Sequence, residues 1–110
     1  MSGIASGGVQ ELAGEQIRNT LAGNSIVHPD FGCMFYRPDG KTDMYFQEQL
    51  EHGTWEVRGD LYYSSGQCGE IGCHLSGTYP ELIFRRIDGD YEQPVILILG
   101  NHCKKDGIVS

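Results

Sequence analysis

The chain has 110 residues, 39% of them apolar and 15 acidic against 8 basic, for a formal charge of −7. That length holds one domain with one core, and the composition is that of a globular chain rather than a disordered one. The acidity argues against a nucleic-acid partner, whose phosphates attract Lys and Arg, and against an anionic membrane surface.

Residues 1–8 read as a leader or flexible stub, with neither the charged start nor the apolar core of a signal peptide. Residues 9–110 read as a single helix-plus-barrel domain. A helix is expected over residues 9–22, where Val9, Leu12, Ala13, Ile17 and Leu21 form one apolar stripe at helical spacing. Glu11 near its start and Arg18 near its end suit the helix dipole, and Gly23-Asn24 supplies a stop. Gly14 is expected to weaken this helix by ~1 kcal/mol relative to alanine.

From Ser25 the period changes to short runs between turn signals. Strands are expected near 25–28, 32–37, 42–47, 53–58, 61–65, 71–76, 82–87 and 95–100. Pro38-Asp39-Gly40, Gly59-Asp60 and Asp88-Gly89-Asp90 are the turns. No connection is long and helical, so parallel crossovers are excluded. The fold class is therefore mainly β: an antiparallel barrel of about eight strands with one N-terminal helix, which either plugs one barrel end or packs on the wall. The longest apolar run, Val95–Leu99, suits one buried strand and falls far short of the ~20 residues of a membrane span, so no membrane insertion is expected.

Cys33, Cys68, Cys73 and Cys103 are an even set in a short chain, which suits two disulfides in an oxidising compartment. Of the three connectivities, Cys68 with Cys73 is preferred because the short Gly-Glu-Ile-Gly loop between them can bring them together, leaving Cys33 with Cys103. The rival is a cytosolic chain with four free thiols.

The segment from Leu12 to Ile26, LAGEQIRNTLAGNSI, resembles a helix-into-strand segment of small exported alphaproteobacterial proteins. Tyr36-Arg-Pro38-Asp39-Gly40 is similar to their aromatic-x-Pro-Asp-Gly turn, and Gly53-Thr-Trp55-Glu-Val57 with Gly59-Asp60-Leu61 to their Gly-x-Trp-x-Val strand and hairpin. Cys73 falls where their second cysteine lies. The resemblance spans about residues 12–75. It implies a lipocalin-like barrel and export, to the periplasm or beyond, with the signal sequence lying outside these residues. It implies no activity, since the family is known only as a domain of unknown function. Where that family often has a cysteine after Leu61, this chain has Tyr62, so the family's disulfide does not carry over.

No nucleophile elbow, phosphate loop, GxGxxG, HExxH or CxxC is present, so no enzyme and no cofactor are expected. The first expectation is a non-enzymatic binding protein for a small molecule or a protein. Trp55, Tyr63, Arg85 and Tyr45 are the candidate ligand-binding residues, aromatic walls with one cation for an anionic group. Arg85 and Arg86 are successive, so one of them faces each side of the strand. An alternative is inhibition of an envelope enzyme such as lysozyme. Ser76-Gly77-Thr-Tyr79 resembles, one residue shorter, the Ser-Gly-x-x-Tyr loop with which small periplasmic barrels enter the lysozyme cleft. Cys73-His74 and His102-Cys103, with Cys68, raise a Cys/His metal site as a further alternative, though neighbours on a strand face opposite ways and each pair offers one ligand; no metal is expected. Asp88, Asp90 and Glu92 read as a solvated hairpin tip rather than a calcium loop.

Overall fold

The computed structural model describes residues 11–29, 32–46 and 49–103. Eight strands follow one helix: α1 (Gly14–Leu21), β1 (Ser25–His28), β2 (Gly32–Tyr36), β3 (Lys41–Phe46), β4 (Gln49–Arg58), β5 (Leu61–Ser64), β6 (Cys73–Thr78), β7 (Glu81–Arg86) and β8 (Glu92–Ile98). They pair in sequence order, all antiparallel, and β8 returns to β1, closing the barrel. Closure leaves no full-length strand edge for another chain to extend. The leader lies outside the described residues, as do Val9 of the apolar stripe and Gln47 at the expected end of β3.

Several boundaries depart from the sequence expectation, among them β8, which runs from Glu92 to Ile98 rather than over 95–100. The helix starts at Gly14, because Glu11 and Leu12 run extended instead: Glu11 bridges Ser76, and the Leu12 amide donates to the Leu75 carbonyl at 2.8 Å. A neighbouring strand with open backbone groups thus outcompetes the first helical turn. Strand β6 begins at Cys73 and not at residue 71, since Gly72 takes a φ of 98° to end the loop before it. Strand β4 extends to Gln49 because β3 offers it a continuous ladder from Lys41↔Thr54 to Phe46↔Gln49.

Alternation assigns the interior. Trp55 and Val57 are buried while Thr54, Glu56 and Arg58 are exposed, so the odd residues of β4 point inward. Through the registers Val57↔Tyr62, Tyr62↔Cys73, Leu75↔Phe84 and Leu82↔Val95, the same face passes to Tyr62, Cys73, Leu75, Leu82, Phe84, Val95 and Leu97.

The helix plugs one end. Ile17 and Leu21 are fully buried in the same core cluster as these strand residues. The Arg18 guanidinium donates to the Val57 carbonyl at 3.1 Å, and the Gly23 amide to the Tyr36 carbonyl at 2.7 Å. Ala13, at the N-cap position, has no side chain able to cap, but the β4–β5 turn does the work from across the chain: the Gly14 amide donates to Asp60 Oδ1 at 2.7 Å. Gly14 is required there, since a Cβ would fall on the Gly59 carbonyl oxygen.

Cys33 is bonded to Cys103 and Cys68 to Cys73. The second bond lies beside the barrel's shortest ladder, since β5 and β6 share a single register pair, Tyr62↔Cys73. It ties the 65–72 loop to the wall at that place.

Candidate functional site

The barrel is packed at one end and hollow at the other. Tyr36, Trp55, Tyr62 and Phe84 form an aromatic layer across its middle. Their ring centroids are 5.1 Å apart for Tyr36–Trp55, 6.0 Å for Tyr36–Tyr62 and 4.8 Å for Tyr62–Phe84. Edge and tilted contacts of this kind add to the burial energy of the rings. On the helix side of the layer, Val57, Leu75, Leu82, Val95 and Leu97 fill the interior. On the other side lies a cavity of about 610 Å³, lined by Ile26, Met34, Met44, Phe84, Tyr91 and the two tyrosines of the layer. Its rim carries Ser64 to Cys68, Arg86 and Gln93. This volume falls in the range of small-molecule sites, and the lining fits their usual character of apolar walls with a few polar groups.

The polar groups are placed by the same alternation. Tyr36 and Tyr62 face each other across the lumen, and their hydroxyls share a hydrogen bond of 2.8 Å at the cavity floor. Burial pushes both phenols up, Tyr62 to about 12 and Tyr36 well above the ordinary value. Both therefore stay protonated across the physiological range. Ser64 lines the cavity beside Tyr62, and its oxygen accepts the Gly66 amide at 3.0 Å. At the rim, Arg86 is already engaged: Nε is 2.8 Å from Asp88 Oδ1, Nη2 is 4.0 Å from Asp90 and Nη1 donates to the Gln67 carbonyl at 3.2 Å. The guanidinium holds the Asp88 carboxyl below its usual range. Arg86 thus pins the 65–72 loop and leaves little positive charge for a ligand.

Of the candidate ligand residues, only Trp55 points inward. It belongs to the layer under the cavity, with its indole Nε1 donating to the Arg37 carbonyl at 2.9 Å. Tyr63 lies opposite Glu56 and faces outward, its ring covered by the Arg58 guanidinium at 3.9 Å. The hairpin alternates through Val57↔Tyr62, which puts Tyr62 inside and Tyr63 outside. Arg85 also faces outward and pairs with Glu92 at 3.5 Å, because Phe84 is inward and the inward arginine is two residues on, at Arg86. Tyr45 stands on the outer wall opposite Cys33, while its neighbour Met44 faces the lumen. The residues missed, Tyr36 and Tyr62 above all, lie in strands whose existence was foreseen but whose inward parity needed the register.

The alternative sites fare differently. Ser76 and Gly77 lie within β6, and Ser76 is buried beneath the bridge to Glu11, so only Tyr79, 56% exposed, stands at the turn. The string does not form a projecting loop. All four cysteines are in disulfides, which removes the thiolates a Cys/His metal centre needs. Among the described residues no cluster of three or more His, Cys, Asp or Glu is placed to hold a metal ion. Asp88 is committed to Arg86, and Glu92 to Arg85. No helix among the described residues is long and apolar enough to cross a membrane. Compared with protein-family models, with curated proteins and with solved structures, the chain matches none.

Proposed function

We propose that this protein is a non-enzymatic carrier or sensor that binds a small, largely apolar molecule in the hollow half of its barrel. The observation that carries the reading is the cavity of about 610 Å³ beneath a rim loop, walled by Met34, Met44, Phe84 and Tyr91 and floored by the tyrosine pair. A domain of this size needs apolar burial for stability, so a cavity left unfilled in its interior has a use beyond folding. Adaptable thioethers suit a wall that receives a guest. The same reading places the protein in the periplasm or outside the cell, supported by two disulfides, which persist in oxidising compartments. It also agrees with the exported lipocalin-like family that the sequence resembles.

The test is binding of N-phenyl-1-naphthylamine, a neutral apolar fluorophore. The expected result is saturable binding of one probe per chain with a blue-shifted, brightened emission. Met34→Trp, which puts an indole into the cavity, should weaken it at least tenfold without changing the far-ultraviolet spectrum. Linear, unsaturable uptake of the probe by both proteins overturns the reading.

A further inference from the structure

Resting on the reading of the hollow half-barrel as a ligand site, we infer that its guest carries a neutral oxygen acceptor, a carbonyl, and enters with that end first, to take a hydrogen bond from the tyrosine pair at the floor. The inference starts from a proton count. Two hydroxyls joined by one hydrogen bond use one of their two protons for each other. Both phenols are almost wholly buried, with Tyr36 at 1% and Tyr62 at 3% exposure, yet both line the cavity. A buried donor without an acceptor costs more than a satisfied one gains, so the floor favours a guest that brings an acceptor. Raised phenol pKa values keep this donor in place through neutral and mildly alkaline solution.

Charge then selects among acceptors. A carboxylate carries strong acceptors but must shed its water, which a dry site repays only with a cation. Among the described residues the one cation lining this cavity is Arg86, and it already contacts Asp88 at 2.8 Å and Asp90 at 4.0 Å. That rim group sums to a net negative charge, and the protein as a whole carries −7. Ketones, esters and amides with an apolar body meet the remaining requirements: one acceptor for the floor and aliphatic or aromatic surface for the methionine and phenylalanine walls.

The experiment compares prodan, a naphthyl ketone whose emission responds to hydrogen bonding at its carbonyl, with N-phenyl-1-naphthylamine, which has no carbonyl. The proteins are the wild type and the double variant Tyr36→Phe/Tyr62→Phe, in which both partners become apolar groups of similar shape. Near-ultraviolet circular dichroism establishes that the variant is folded. The expected result is that the variant loses roughly three- to tenfold more affinity for prodan than for naphthylamine, the size of one neutral hydrogen bond. In competition, 2-decanone should displace the naphthylamine from the wild type at concentrations where decanoate does not. A variant that loses no more affinity for prodan than for naphthylamine, or displacement by decanoate as effective as by 2-decanone, overturns the carbonyl inference and leaves the cavity reading standing. If the wild type binds neither probe saturably, the cavity reading fails and this inference falls with it. If the double variant does not fold, the competition on the wild type decides alone: displacement by 2-decanone at concentrations where decanoate does not act supports the carbonyl inference, and equal displacement overturns it.

Discussion

Gly14→Ala separates helix propensity from tertiary packing, because the two predict opposite signs. In an isolated helix, alanine is better than glycine by ~1 kcal/mol. In the folded protein, Gly14 is buried against the β4–β5 turn, and a methyl there would sit on the Gly59 carbonyl oxygen, a backbone atom that has no rotamer to turn away. Relief requires α1 to lift off the barrel end. Overpacking of this kind costs ~1–3 kcal/mol. The same shift stretches the bond from the Gly14 amide to the Asp60 carboxylate, 2.7 Å in the native protein, and a hydrogen bond to a charged group is worth ~1.5–3 kcal/mol. Against the propensity gain, the net expectation is a destabilisation of about 2–4 kcal/mol, read from the urea midpoint at unchanged slope. Asn19→Ala, on the exposed side of the same helix, is the control and should stabilise by about 0.5 kcal/mol. A Gly14→Ala protein as stable as the wild type, or more stable, would refute the docking of the helix onto that turn.

Trp55→Ala removes a ring that is 6% exposed and touches Tyr36 and Tyr62, and should cost about 3–5 kcal/mol in denaturant titration; a variant that melts like the wild type would place Trp55 outside the interior. The two disulfides close loops of very different length, with separations of 70 and 5 residues. By loop entropy, Cys33→Ser/Cys103→Ser should cost about 4 kcal/mol and Cys68→Ser/Cys73→Ser about 2 kcal/mol. Only the second pair should also weaken naphthylamine binding, since Cys68 belongs to the cavity rim; a reversed order in both readouts would count against the loop's role. Burial of Tyr36 and Tyr62 raises their pKa values above the unfolded value near 10. The folded state therefore holds protons that the unfolded chain gives up. Their contribution to stability is full below about pH 10 and is lost as pH rises through about 12. A spectrophotometric titration should show two of the six tyrosines ionising later than the rest, and all six titrating together near pH 10 would contradict the buried pair.

The sequence by itself determined the composition of the fold. Trp55 and Val57 alternate with Thr54, Glu56 and Arg58, and that pattern alone assigned the faces of β4. Pro38-Asp39-Gly40 and Gly59-Asp60 fixed where strands end, because turn geometry is local. Cys68 and Cys73 are bonded to each other, as their short spacing implied, and Cys33 to Cys103 by what remained. These features depend on chemistry within a few residues. What only the tertiary structure decided depends on pairing at a distance. The run Leu61-Tyr62-Tyr63 is apolar at every position, so parity came from the Val57↔Tyr62 register and not from the run itself. Arg85 and Arg86 are chemically identical neighbours, and only the pairing of Phe84 with Gln93 inside the barrel says which one meets the cavity. The start of α1 was set by a partner strand drawing Glu11 and Leu12 away and by Asp60, 46 residues on, supplying the cap. The hollow itself is legible in no segment: it exists because Tyr36, from β2, and Tyr62, from β5, meet across a closed barrel and leave the space above them unfilled.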